Sequence, residues 1–214
     1  MEFVTTGQKQ IRVQHDSWMD GGGTWFGQEY IDIIRQRYPD RVFERCYEWC
    51  SGPGYIGFSI LGAGLAKTLT VTDCYESAIN KAVATTISYN CLEQKVSAYV
   101  GSSLSCLPKH KQFDLVVSNP PHYLECPGDD NYQRIAVDTD WQAHQDFFAH
   151  IGRHLAHNGV ILLQENLAGS LNGVEDFRPF IESNGLRVQD SFTSDKFFDV
   201  NGPTQIYYIE IVHA

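Results

Sequence analysis

The sequence predicts an α/β protein: a seven-stranded, mostly parallel sheet with the last strand antiparallel, covered by helices on both faces. Three observations carry this reading. Short apolar runs alternate with stretches of helical periodicity, the pattern of successive crossover units. A glycine-rich turn follows the first long apolar run and opens a helix. The last two apolar runs are joined by residues 193–205, a connection too short for a crossover helix, so those strands are antiparallel neighbours.

Taken in order, residues 28–38 form a first helix, with Tyr30, Ile31, Ile34 and Tyr38 on one face and Pro39 as its stop. Residues 42–49 are the first strand. A helix then runs to about residue 66, and residues 69–73 are the second strand. Ala78, Ile79, Ala82, Val83 and Ile87 have helical spacing, in a helix reaching about Asn90. Residues 96–100 and 113–118 are the third and fourth strands, and 124–140 a polar loop containing Pro127-Gly128-Asp129-Asp130. Trp141, His144, Phe147, Phe148, Ile151 and Leu155 make the next helical stripe, with Gly159 at its stop. Residues 160–164 are the fifth strand. A helix marked by Phe177, Phe180 and Ile181 closes at Asn184-Gly185, before strands 186–192 and 206–212.

A chain of 214 residues with 43% hydrophobic content suits one domain, with residues 1–41 as a lead and first helix and 42–212 as the core. No stretch approaches the ~18 apolar residues of a membrane span. The N-terminal stretch has neither the apolar centre nor the small-residue cleavage site of a signal peptide. Cys46, Cys50, Cys74, Cys91, Cys106 and Cys126 show no C-x-x-C spacing, which points to reduced thiols and a cytoplasmic location. The formal charge is −10, and residues 112–214 carry all of that excess, with 15 acids against 5 Lys and Arg. Nucleic-acid binders carry basic stripes, so a large polyanionic partner is disfavoured.

The turn Glu48-Trp49-Cys50-Ser51-Gly52-Pro53-Gly54-Tyr55-Ile56-Gly57 joins the first strand to its helix. Its glycines admit a ligand close to the backbone. Pro53 stands where the helix begins, and the free N–H groups of the first turn can face a carboxylate. Asp73 ends the second strand, placed to accept from a ribose diol. Gly52 to Gly57 also fits the dinucleotide fingerprint, so a nicotinamide cofactor stays open on these residues alone. Glu48, upstream of the glycines, suits a ligand with an ammonium group better than a pyrophosphate.

The fourth strand runs directly into Ser118-Asn119-Pro120-Pro121-His122-Tyr123. Two prolines end the strand and stiffen the chain. They leave Asn119 at the carboxyl edge of the sheet, where open α/β folds bind ligands. The Asn119 side-chain carbonyl and the Pro120 backbone carbonyl form a pair of acceptors suited to both hydrogens of an –NH2 group.

With Glu48 through Gly57, Asp73 and Asn119-Pro120-Pro121 in this order, residues 42–212 resemble class I S-adenosylmethionine-dependent methyltransferases. Within these the chain is similar to the amino-methylating group with an Asn-Pro-Pro-aromatic signature, such as the release-factor glutamine, adenine-N6 and guanine-N2 enzymes. The resemblance implies a Rossmann-like three-layer sandwich and S-adenosyl-L-methionine as cofactor. It places Glu48, Cys50, Gly52 and Gly54 around the methionine part and Asp73 on the ribose, with Ser51, Tyr55, Cys74, Ser102, Ser103 and Asn119 as further cofactor-binding residues. Asn119 and Pro120 receive the acceptor nitrogen, with His122 or Tyr123 covering it. The chain departs from the pattern in three places. Cys50 replaces the first glycine, Gly101-Ser102-Ser103-Leu104 lacks the acid that usually follows the third strand, and His122 occupies the position of the aromatic.

Other features stay open. His122 is read as a stacking group before a proton carrier. His15, His110, His144, His150, His154 and His157 have no metal-ligand spacing; His150 and His154 would share a helix face, and no metal is expected. Residues 20–27, with three consecutive glycines before Trp25 and Phe26, form either a lid or a flexible lead. Phe197 and Phe198 either wall a pocket or close the sheet end. Glu125, Asp129, Asp130, Asp138 and Asp140 read as a solvated loop that would favour a cationic acceptor if functional. The expected activity is methyl transfer to an amide or amino nitrogen, of a protein or small molecule before a nucleic-acid base. The competing classes are a nicotinamide-dependent oxidoreductase and a non-catalytic cofactor-binding subunit.

Overall fold

A computed structural model describes residues 1–6, 9–89, 92–125, 130–199 and 205–214. The elements are β1 (Glu2–Val4), β2 (Arg12–Gln14), α1 (Gly23–Arg37), β3 (Phe43–Trp49), α2 (Tyr55–Gly62), β4 (Ala66–Asp73), α3 (Glu76–Ile87) and β5 (Val96–Val100). They continue as β6 (Phe113–Ser118), α4 (Asp130–Ala136), α5 (Gln142–Ile151), β7 (Leu155–Asn166), α6 (Arg178–Glu182), β8 (Leu186–Phe198) and β9 (Gln205–His213). Seven strands form one sheet in the order β5-β4-β3-β6-β7-β9-β8. β9 runs antiparallel to both its neighbours, as the short final connection requires.

One compact unit spans Met1–Ser102. In it β3, β4 and β5 pair in parallel, with Glu48 opposite Val71 and Asp73 opposite Val100. This register brings the ends of β3 and β4 to one edge. Cys46 to Trp49 are buried without alternation, as expected of a parallel strand covered on both faces. Every residue of α2 is buried. The short pair β1–β2 was not anticipated, because three-residue strands give no periodic signal. It is held by the Arg12 and Gln14 N–H groups, which donate to Tyr89 Oη and Thr85 Oγ1.

The largest difference in this unit concerns residues 20–27. Gly23 to Gly27 are neither loose lead nor open lid but the first turns of α1, which starts five residues earlier than expected. Asp20 explains the early start: its carboxylate accepts from the Gly22 and Thr24 N–H groups and from Thr24 Oγ1. Gly27 lies so close to α2 that a Cβ would stand 2.4 Å from Ser59 Oγ and 3.4 Å from the Tyr55 carbonyl oxygen. Gly23 and Gly27 are therefore helix-packing residues. At the far end of α2 the helix stops at Gly62, and β4 begins at Ala66, three residues before the expected strand.

The second unit spans Ser103–Ala214. β6 and β7 are parallel, and their central residues Leu115 to Val117 and Ile161 to Leu163 are fully buried. Leu155 and Gly159 lie in β7, not at the end of a helix: α5 stops at Ile151, and Phe113 already pairs with Leu155. The register jumps between Phe113 and Leu115, so residues 156–159 are absorbed as a bulge whose helical spacing is coincidental. The expected loop over 124–140 contains α4 and a 3₁₀ turn, Thr139–Trp141. Phe197 and Phe198 belong to the extended β8. The expected helix end at Asn90, and Cys91, Cys126 and Pro127-Gly128-Asp129, lie outside the described residues. Cys46, Cys50, Cys74 and Cys106 are free thiols. Among the described residues no helix is long and apolar enough to cross a membrane.

Gly27→Ala tests the close approach of α1 to α2. Helix propensity alone would stabilise this change by about 1 kcal/mol. Crowding against Ser59 and Tyr55 should outweigh it by about 1–3 kcal/mol and lower Tm by a few degrees in thermal denaturation. A higher Tm in the variant would show that the contact is not tight.

Candidate active site

At the end of β3 the chain makes a turn with three left-handed residues, Cys50 (φ 49°), Gly52 (φ 51°) and Gly54 (φ 91°). Cys50, in the place of a glycine, is the one that carries backbone strain. Asp73 fixes this turn: its Oδ2 accepts from the Gly52 N–H at 2.8 Å, and its Oδ1 from the Tyr75 N–H at 2.8 Å. Burial raises the Asp73 pKa against these donors. The Cys74 N–H and thiol also donate to this half-buried carboxylate, so a ribose diol that bonds here would compete with the Cys74 donors.

Glu48 differs from the sequence expectation. Its carboxylate is buried and accepts from the Ile56 and Gly57 N–H groups at 3.2 and 2.8 Å. The first-turn donors of α2 are therefore taken by the chain's own carboxylate and do not await a ligand. The physical reason is that a carboxylate withdrawn from water needs donors, and the helix N-terminus supplies them. Burial still pushes the Glu48 carboxyl up to about 8, against those N–H groups. Pro53 precedes the left-handed Gly54 cap, so the helix starts at Tyr55 instead.

Tyr55 gives the test of whether this turn fits a ligand. Its hydroxyl is buried and has no hydrogen-bond partner among the described residues. Burial, together with Asp20, Asp16 and Glu48, pushes its pKa far up. Its ring stands edge-on to His15 and Phe3. A 3₁₀ turn, Ser17–Met19, lies over the same region: the Met19 carbonyl is 3.6 Å from where a Gly52 Cβ would stand, and Trp18 meets the Tyr75 ring edge-on. An unsatisfied hydroxyl amid carboxylates fits a small ligand with a cationic nitrogen, such as the methionine part of S-adenosyl-L-methionine. Sequence reasoning found Tyr55 but missed Asp16, Trp18 and Asp20. Cys74 is exposed, as is Ser102. The Ser103 hydroxyl caps a 3₁₀ turn by accepting from the Ser105 N–H.

In the second unit, Asn119 follows β6 and Pro120 is buried behind it. Asn119 Oδ1 accepts from His122 Nε2 at 2.7 Å and from Gln164 Nε2 at 3.1 Å. His122 thus bonds to Asn119 while its ring packs edge-on against Tyr123. Its Nδ1 lies 3.4 Å from Glu165 Oε2. Glu165 Oε1 meets His144 Nε2 at 2.9 Å, and His144 Nδ1 meets Asp138 Oδ2 at 2.7 Å. Tyr123 Oη accepts from Asn166 Nδ2 at 3.1 Å.

The local chain explains these positions. Tyr123 pairs with Val137, closing the base of the intervening segment and delivering Asp138. Asp140 and Trp141, both left-handed, turn the backbone, and the Asp138 carboxylate then accepts from the Ala143 and His144 N–H groups at the start of α5. Asp138 is therefore a buried helix cap and not a solvated loop acid. His144 lay on the predicted apolar stripe, and its burial was legible where its partners were not. The signal for Glu165 was the polar run Gln164-Glu165-Asn166 ending an apolar strand. His154 lies beyond α5, with Nδ1 on the Lys111 carbonyl, while His150 Nδ1 bonds to the Asp146 carbonyl, so the two share no site.

With a carboxylate on each ring nitrogen, His144 is doubly protonated. Burial pulls its pKa down, but Glu165 and Asp138 overcome this and hold it at about 9, above the ordinary 6.5. Its contribution to stability is complete below about pH 6.5 and is lost as pH rises through about 9. Glu48, raised from 4.5 to about 8, destabilises in the same direction over its own lower range. Tm should therefore fall from pH 6 to pH 9.5, and in Asp138→Asn the upper part of the fall should begin at lower pH. An unchanged profile in that variant would remove His144 as its source.

The Methyltransferase small domain family matches residues 33–170. No curated protein sequence matches. Among solved structures, a ribosomal protein L11 methylase from Lactobacillus delbrueckii subsp. bulgaricus is similar with a TM-score of 0.61 and 14% identity, over 91% of this chain and 82% of that one. An S-adenosylmethionine-dependent methyltransferase from Clostridium acetobutylicum gives 0.61 and 14%, over 91% and 93%. A TehB-like S-adenosylmethionine-dependent methyltransferase from Corynebacterium glutamicum gives 0.56 and 18%, over 91% and 89%. At these identities the structures establish a shared Rossmann-like fold. The family match over most of the chain establishes more: this protein belongs to the methyltransferase small domain family, enzymes whose methyl donor is S-adenosyl-L-methionine.

Proposed function

We propose that this methyltransferase works as a single cytoplasmic domain of the Asn-Pro-Pro-aromatic group and methylates an amide or amino nitrogen. The observation that carries the reading is the Asn119 carboxamide, which stands directly after β6 with its carbonyl oriented by two N–H donors. Such a carbonyl accepts a substrate N–H in exchange for one of these donors, and the neighbouring Pro120 carbonyl would be a second acceptor. S-adenosyl-L-methionine, when bound, supplies an electrophilic methyl carbon. Asp73 and the turn from Cys50 to Gly54 would hold it, with Tyr55 Oη at the methionine end and Cys74, Ser102 and Ser103 towards the adenine.

The protein's own contribution is to orient the nitrogen. An amide or aromatic amine has a conjugated lone pair and is a weak nucleophile. Two N–H bonds to fixed carbonyls favour a more tetrahedral nitrogen. They strengthen as positive charge develops there, so they act on the transition state more than on the bound substrate. Tyr123, held by Asn166, is the ring available to cover the nitrogen. The acidic excess of residues 112–214 supports a protein or small cationic acceptor over a nucleic-acid base.

Asn119→Ala should lower turnover on the order of a hundredfold while leaving the affinity for S-adenosylhomocysteine, measured by calorimetry, within about twofold. Equal turnover would refute the role of the carboxamide. Incubation with radiolabelled methyl donor and a cell extract separated into protein, RNA, DNA and small molecules should label protein or small molecules. Label confined to RNA or DNA would replace this acceptor class with a nucleic-acid base, and base-stable label on oxygen or carbon would end the amino-methyl reading.

A further inference from the structure

A carbonyl oxygen has two lone pairs, and Asn119 Oδ1 uses both within the protein, on His122 Nε2 and Gln164 Nε2. An acceptor nitrogen that donates to the same oxygen must displace one of these donors. They are not equally displaceable. Gln164 is fully buried on β7, and its own Oε1 accepts from Tyr208 Oη. His122 sits on the segment after β6 with its side chain 12% exposed.

The His122 ring also has a second partner. Its Nδ1 is 3.4 Å from Glu165 Oε2, too long for a strong bond in the present state. Glu165 itself does not yield, because its other oxygen is held by His144, and His144 by Asp138, all three buried. The triad thus presents one carboxylate oxygen, Oε2, towards a ring that can approach it.

We infer that His122 is a specificity-determining residue: it occupies the Asn119 carbonyl through Nε2–H in the free enzyme and is exchanged there for an N–H of the methyl acceptor, the ring proton passing from Nε2 to Nδ1 by way of solvent so that Nδ1 donates to Glu165 Oε2 and retains the ring. The inference rests on the amino-methyl reading above. The exchange replaces one donor by another, so Asn119 keeps two bonds throughout. An acceptor atom with no hydrogen to give, such as a tertiary amine or an unprotonated ring nitrogen, cannot replace the His122 donor without leaving this oxygen short of one, and the site discriminates against it.

Two measurements decide the matter. In protein labelled with 15N-histidine, without any acceptor, the His122 Nε2 proton should exchange with solvent at least a hundredfold faster than the two ring protons of His144. Equal protection would mean that the ring does not leave Asn119, and the inference falls. In the second, His122→Phe removes the competing donor and keeps a ring. Its kcat/KM for the extract fraction that the wild-type enzyme labels should rise about tenfold, and a value at or below wild type overturns the inference. If the wild-type enzyme labels no nitrogen in any fraction, the amino-methyl reading fails by itself, while the exchange measurement still reports on the ring.

Discussion

A carboxylate removed from water costs several kcal/mol unless donors meet it, and this chain meets four of its buried and half-buried acids with its own backbone. Asp20 takes the N–H groups at the start of α1, Glu48 those at the start of α2, and Asp138 those at the start of α5. Asp73 takes those of Gly52 and Tyr75. Each acid satisfies orphan donors at a helix start or turn, and each in return has its own position fixed. In the first unit this defines the glycine turn and its surroundings. In the second it anchors His144, through it Glu165, and so the face that His122 meets. Functional side chains here are placed by capping before they are placed by packing.

The two units spend this device differently. Around Tyr55 stand the acids Asp16, Asp20 and Glu48, of which Asp16 pairs with Lys81 at 2.9 Å and Glu48 is pushed up to about 8 chiefly by burial. A site with that excess favours a positively charged ligand end, which is an electrostatic argument independent of the glycine spacing. Around His144 the charge is largely internal: two carboxylates share one imidazolium. Removing either carboxylate would leave a poorly compensated buried cation, so the triad is rigid by necessity.

How much of this the sequence discloses follows from the range of each interaction. Strands 96–100 and 113–118 were legible to the residue, because a short apolar run bounded by turn residues is a local signal. Asn119 and Asp73 were legible as residues at strand ends. Gly23 and Gly27 were misread, because glycine in a helix looks like flexibility until α2 is known to lie against it. Leu155 continued a helical period by coincidence while the strand pairing decided otherwise. The triad was invisible as a unit. Asp138, His144 and Glu165 are separated by loops, a helix and a bulged strand, and nothing in their spacing announces the bonds.

His122 brings these threads together. A hydrocarbon ring at this position would cover the acceptor but leave Glu165 Oε2 facing an apolar edge and Asn119 with Gln164 alone. An imidazole covers less and bonds more. Its presence is coupled to Glu165, which in turn requires His144 and Asp138, so four residues distant in sequence form one choice. The departure of this chain from an aromatic after Pro-Pro is therefore not a tolerated substitution at one site. It exchanges a hydrocarbon face for a hydrogen-bonding one.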